Sequence, residues 1–168
     1  MGIEIERKFL LATAAWRNAV GRSERLVQGY LTRADERHGY PPCSVRVRAG
    51  ADAAWLNIKA AVPGIERREF EYVIPRADAE QMLAEFCPEV VEKIRHHVLH
   101  AGMTFEVDEF LGANAGLIVA ELELPSAGAA FARPPWLGKE VSDMIRYYNL
   151  NLLQHPYSCW SETERAGN

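Results

Sequence analysis

Ile3-Glu4-Ile5-Glu6-Arg7-Lys8-Phe9-Leu10, close to the start of a 168-residue chain, sets apolar and charged side chains in near-alternation. In an extended strand residues i, i+2 and i+4 share a face. Glu4, Glu6 and Lys8 therefore point together, and Ile3, Ile5 and Phe9 point the other way. The same separation recurs downstream. Arg46 and Arg48 oppose Val45 and Val47; Lys59 and Asn57 oppose Leu56 and Ile58. Arg67, Glu69 and Glu71 oppose Phe70 and Tyr72, Lys93 and Arg95 oppose Ile94, Glu106 and Asp108 oppose Val107, and Glu121 and Glu123 oppose Leu122 and Leu124.

These segments predict about eight strands, at 3–10, 25–32, 44–48, 54–60, 67–74, 91–99, 103–111 and 117–124. Short turns at 49–52, 100–102 and 112–114 favour an antiparallel meander. Helices are expected in the gaps: from Thr13 to Val20, from Pro75 to Phe86, from Ser126 to Pro134, and from Ser142 to Tyr148. The tail after Asn149 reads less clearly, and 161–168 has the composition of a frayed end.

An ordinary half-buried sheet also carries one charged face. The faces here are nearly pure in sign, however: Glu/Glu, Arg/Arg, Lys/Arg, Glu/Asp, Glu/Glu. Like charges on neighbouring positions repel, so such faces call for a compensating partner. Divalent cations would compensate the acids and a polyanion the bases. Eight strands can close on themselves, which removes the sheet edges. The expected fold is α+β and mainly β: an eight-stranded antiparallel tunnel, a closed barrel with a charged interior and helices packed outside.

Bulk composition limits the alternatives. Hydrophobic content of 48% and charged content of 25% suit a single soluble domain. A net charge of −4 argues against a general nucleic-acid binder, and no apolar run is long enough to span a bilayer. Cys43, Cys87 and Cys159 match neither a disulfide framework nor a zinc motif, so reduced thiols in a cytoplasmic protein are expected. Hard carboxylate oxygens suit Mg²⁺ or Mn²⁺, and Lys and Arg supply donors to phosphate oxygens. Alternation puts His96 and His97 on opposite faces, which disfavours a shared metal.

The ordered series Glu4-x-Glu6-x-Lys8, Gln28-Gly29-Tyr30, Val45-Arg46-Val47-Arg48, Leu56-Asn57-Ile58-Lys59, Arg68-Glu69-Phe70-Glu71, Glu92-Lys93-Ile94-Arg95, Phe105-Glu106-Val107-Asp108 and Ala120-Glu121-Leu122-Glu123 resembles the CYTH domain of the triphosphate tunnel metalloenzymes. Gly138-Lys139-Glu140-Val141 and Arg146-Tyr147 extend the resemblance, which covers about residues 1–150 and leaves 151–168 as a tail near a tunnel end. The resemblance implies Glu4, Glu6, Asp108, Glu121 and Glu123 as ligands of one or two Mg²⁺ or Mn²⁺ ions. It implies Lys8, Arg46, Arg48, Lys59, Lys93, Arg95 and Lys139 as phosphate-binding, with Arg95 alternatively pairing with Glu71 and Lys139 alternatively a surface lysine. Lys8 and Tyr30 become candidate catalytic groups; Lys8 would lower the Tyr30 pKa by proximity, while the plain alternative for Tyr30 is a packed aromatic.

The implied activity is hydrolysis of inorganic triphosphate to pyrophosphate and phosphate. A CYTH-type adenylate cyclase, a thiamine triphosphatase and a non-catalytic polyphosphate or nucleotide sensor are the alternatives. The expected partner is a small polyanion, with no nucleic acid or membrane; oligomeric state is open, a homodimer included.

Overall fold

The computed structural model describes residues 2–32, 42–60, 62 and 64–167. Its strands are β1 (Gly2–Leu11), β2 (Val20–Tyr30), β3 (Cys43–Ala49), β4 (Ala54–Ala60), β5 (Glu66–Ile74), β6 (Val90–His100), β7 (Met103–Phe110), β8 (Ile118–Glu123) and β9 (Leu137–Glu140). Helices are α1 (Arg76–Phe86), α2 (Asn149–Gln154) and α3 (Glu162–Arg165). The sheet order β5-β4-β3-β2-β6-β7-β8-β1 returns to β5 through an antiparallel β1–β5 pairing, so eight strands form a closed ring. One edge of β1 is shared: Gly2–Ile5 pair with β5, while Phe9 and Leu11 pair with the short β9.

Closure follows from the two-residue period. Outward apolar residues need cover, and two coverings supply it. On one side Ile5, Phe9, Val98, Phe105, Val107, Ala120 and Leu122 cluster with Trp16, Trp136 and Phe131. On the other, Ala79, Met82 and Leu83 of α1 lie on Val47, Ala54, Leu56 and Ile74. Each fully buried side chain of this size contributes about 1.5–3 kcal/mol.

Gly29 permits the closest approach in the second covering. A Cβ there would lie 2.5 Å from Cys87 Cβ and 2.6 Å from its Sγ. Gly29→Ala should therefore cost roughly 1–3 kcal/mol through overpacking. Urea unfolding of the two proteins checks this; an unchanged midpoint would mean that α1 and Cys87 shift away freely.

Several expected elements differ. Residues 14–19 form a 3-10 turn capped by Thr13 rather than an α-helix. No helix follows Ser126: with Gly128, Pro134 and Pro135 the segment stays irregular, and it lays Phe131 and Trp136 on the outer apolar face. Ser142 does not cap a helix, because its Oγ accepts from Lys8 N (3.0 Å) and donates to Glu140 Oε1 (2.8 Å). The last residues are ordered through α3, whose Ser161 and Glu164 form a capping box; Asn168 lies outside the described residues.

The C-terminal segment enters the ring. Tyr147, Leu152 and Trp160 pack with Val91, Phe110, Leu117, Val119 and Val141. Val119 shares the inward face of β8 with Glu121 and Glu123, so this cluster fills one end of the interior. Among the described residues no helix is long and apolar enough to cross a membrane.

Candidate active site

The ring encloses a cavity of about 840 Å³. Its wall includes Glu4, Glu6 and Lys8 of β1, Tyr30 of β2, Arg46 and Arg48 of β3, and Lys59 of β4. Arg67, Glu69 and Glu71 of β5, Arg95 of β6, Glu106 of β7, and Glu121 and Glu123 of β8 complete the charged girdle. Register places these side chains against one another. Glu6 is opposite Glu123, Lys8 opposite Glu121, and Glu121 in turn opposite Glu106.

Acids and bases interlock. Lys8 Nζ donates to Glu6 Oε1 at 2.6 Å and also to Glu121. Arg95 forks onto Asp108, with Nε to Oδ1 at 2.7 Å and Nη2 to Oδ2 at 2.6 Å, and reaches Glu121 Oε2 at 2.6 Å. It also pairs with Glu106. Glu71 pairs instead with Arg48 at 3.0 Å, which rules out the Arg95–Glu71 alternative. Lys59 Nζ bonds Glu4 Oε1 at 2.6 Å, and Arg67 approaches Glu4 and Glu6 at 3.3 and 3.9 Å.

The electrostatics are uneven. Burial and Glu121 push Glu6 up, but Lys8 and Lys59 outweigh them and hold it below the usual carboxylate range. Glu121 is held well below it, since Lys8, Lys93 and Arg95 outweigh the effect of burial. Glu123 behaves in the opposite way: burial, then Glu6, Glu106 and Glu69, raise it. Among the described residues Glu123 makes no ion pair. Glu4 is also raised, by burial and by Glu6. A group of oxygen donors under mutual repulsion is a chemical fit for a hard divalent cation. No three of His, Cys, Asp or Glu among the described residues are drawn together as a metal cage; Lys8 lies between Glu6 and Glu121.

Tyr30 lines the cavity, and its pKa is raised, because burial outweighs Arg46, Lys8 and Arg67. Lys8 does act to lower it, as expected, but burial is the larger effect and the net shift is upward.

Comparison with known proteins adds a second line of observation. The CYTH domain family model matches residues 2–157. The chain belongs to the CYTH family. It is 40% identical to an inorganic triphosphatase of Acetivibrio thermocellus over 163 residues, 96% of this chain and 100% of that protein. An inorganic triphosphatase of Nitrosomonas europaea is 34% identical over 149 residues, 87% of this chain and 93% of the relative. A crystal structure of an inorganic triphosphatase, 34% identical, superposes with a TM-score of 0.61 over 89% of this chain and 97% of that one.

Within this CYTH domain most of the expected site residues meet in one cavity, but three do not line it. Asp108 is 0% exposed and lies beneath the girdle, held by Lys93 and Arg95. Lys93 is equally buried, its ammonium on Asp108 and 5.7 Å from the Phe110 ring centre. Lys139 is exposed and donates to Gly167 O at 2.5 Å, because β9 runs along the outer part of β1. The surface-lysine alternative describes it.

Other lining residues were not singled out. Arg67, Glu69, Glu71 and Glu106 are legible by the same face rule as their neighbours. Tyr148, Asn149 and Asn151 also line the cavity, and no strand period announces them. His96 and His97 fall on different faces as expected: His96 stacks on Trp16 with ring centres 5.0 Å apart, and His97 bonds Glu24 at 3.1 Å.

Proposed function

We propose that this chain hydrolyses inorganic triphosphate to pyrophosphate and phosphate. The observation that carries the reading is Arg46. It is 8% exposed in the cavity wall, its Nε has no hydrogen-bond partner, and it forms no ion pair among the described residues. A buried guanidinium without a carboxylate is costly unless an anion completes it. A phosphate oxygen supplies that anion. The named activities of the two relatives support the same substrate.

Glu4, Glu6, Glu121 and Glu123 would hold Mg²⁺ or Mn²⁺, which when bound neutralises phosphate charge. Arg46 and Arg48 of β3, Lys59 of the neighbouring β4 and Arg95 of β6 grip phosphate oxygens, fixing the chain for in-line attack. Water attacks a terminal phosphorus, the P–O bond to the bridging oxygen breaks, and pyrophosphate leaves. Lys8 stabilises charge on the bridging oxygen, and Tyr30 can give it a proton. A reducing cytoplasm, which keeps Cys43, Cys87 and Cys159 as thiols without disulfides, suits this reading.

Chromatographic product analysis with tripolyphosphate, ATP and thiamine triphosphate tests the substrate. Pyrophosphate plus phosphate from tripolyphosphate is expected at the highest kcat/KM. Cyclic AMP from ATP without tripolyphosphate turnover would sink the reading, and tight binding without turnover would make the protein a sensor. Tyr30→Phe should lower kcat by about 10²-fold if the phenol donates a proton. An unchanged rate from neutral to alkaline pH would return Tyr30 to a packing role.

A further inference from the structure

Asn57 of β4 stands within the basic wall of the ring, yet it does not line the cavity. Register puts it between Arg46 of β3 and Glu71 of β5. Lys59 and Glu69 occupy the row on one side of it, and Arg48 the row on the other. Successive rows on one face of a strand lie about 6.5–7 Å apart. The Asn57 side chain is 0% exposed.

Its amide nitrogen carries two hydrogens and meets two acceptors. Nδ2 donates to Glu69 Oε1 at 2.8 Å and to Glu71 Oε2 at 2.5 Å. Turned over, the amide would set its oxygen against two carboxylates, so the acids themselves fix its orientation. Glu69 and Glu71 share a strand face two residues apart and repel one another. The same two oxygens also hold bases that line the cavity. Glu71 Oε2 accepts from Arg48 Nη2 at 3.0 Å, and Glu69 Oε1 lies 3.4 Å from Lys59 Nζ. Lys59 in turn bonds Glu4 at 2.6 Å. The Glu71 side chain is 43% exposed, so without the amide it is free to turn to water and release Arg48. Glu69, without it, would be left to Lys59 alone and would draw that ammonium from Glu4.

We propose that Asn57 is a positioning residue: by clamping Glu69 and Glu71 it sets the aim and spacing of Arg48 and Lys59 on either side of Arg46, so that bases from three rows of one wall bear on a single phosphate chain. The proposal rests on the triphosphatase reading, in which these bases bind phosphate, and adds what holds them in place. An apolar side chain would fill the same space, but only one with two donors restrains both acids.

The test is Asn57→Leu in the full-length protein, which keeps the bulk and removes both donors, beside Asn57→Thr, which keeps one. With tripolyphosphate and Mg²⁺, Asn57→Leu should raise KM by about 10- to 10²-fold with little change in kcat. Asn57→Thr should fall between it and the wild type. Asn57→Leu combined with Glu71→Gln should raise KM by less than the product of the two single effects, because the amide acts through that acid. A full product, or a variant that loses stability while KM stays at the wild-type value, overturns the proposal. If Asn57→Leu does not fold, Asn57→Thr decides, and a wild-type KM overturns it. If the wild-type protein turns over no tripolyphosphate, the triphosphatase reading falls, and a crystal structure of Asn57→Leu decides the positioning alone. Displaced bases then uphold it; Arg48 still on Glu71 and Lys59 still on Glu4 overturn it.

Discussion

Glu121→Gln is expected to lower tripolyphosphate turnover by about 10²–10³-fold. Glu121 is the junction of the girdle: one oxygen takes Lys8 Nζ, and the other takes Arg95 Nη2 at 2.6 Å. Its register partners are Lys8 on one side and Glu106 on the other. An amide of the same shape keeps one acceptor and loses the charge, so both bases lose aim and the oxygen set for a divalent cation loses its most firmly ionised member. Glu6 still holds Lys8, and Asp108 and Glu106 still hold Arg95, so the fold should survive. Glu4→Gln should behave alike. The measurements are steady-state turnover, Mn²⁺ binding by calorimetry and thermal unfolding. Wild-type turnover in both variants would show that these acids do not hold the ion.

The pH dependence follows from the same contacts. The folded-state pKa of Glu121 is depressed, so its contribution to stability is present above the ordinary carboxylate range and is lost as pH falls through the folded value. Glu4 and Glu123, whose pKa values are raised, protonate first on acidification. Activity should therefore fall at a pH where the fold is still intact. Parallel loss of activity and of folded signal would contradict this order.

How far the sequence alone reaches is set by periodicity. Most strands of the ring carry a two-residue alternation, β2 being the exception, and sign-pure faces such as Arg46/Arg48 and Glu121/Glu123 are legible because covalent geometry alone puts them together. Where the chain leaves that period the reading fails. Ser126 looked like a cap, but Gly128, Pro134 and Pro135 keep the segment irregular and tertiary burial of Phe131 and Trp136 places it. The wall residues Tyr148, Asn149 and Asn151 reach the cavity only because Leu152 and Trp160 anchor elsewhere in the ring. Depth along the tunnel is also invisible to alternation. Glu106 and Asp108 share a face two residues apart, yet one lines the cavity and the other lies wholly beneath it.

That difference in depth gives Asp108→Ala the largest expected effect on stability. Asp108 is 0% exposed, and its carboxylate neutralises two buried bases: Lys93 through a direct ion pair, and Arg95 through the fork. Removing one partner of a buried pair costs about 3–5 kcal/mol, because the remaining charge is left uncompensated. Arg95 keeps Glu106 and Glu121, so the cost falls mainly on Lys93, whose pKa is already lowered by burial and by Arg95. In the variant Lys93 should give up its proton, recovering part of the loss. Asp108→Ala combined with Lys93→Met removes both charges and should regain most of the stability. A residue acting only as a metal ligand would behave differently: Asp108→Ala would weaken Mn²⁺ binding and leave urea unfolding of the metal-free protein unchanged. A large loss of stability in metal-free protein, rescued by Lys93→Met, assigns Asp108 to neutralising the buried Lys93 beneath the girdle; an unchanged unfolding midpoint would restore it to the ligand set.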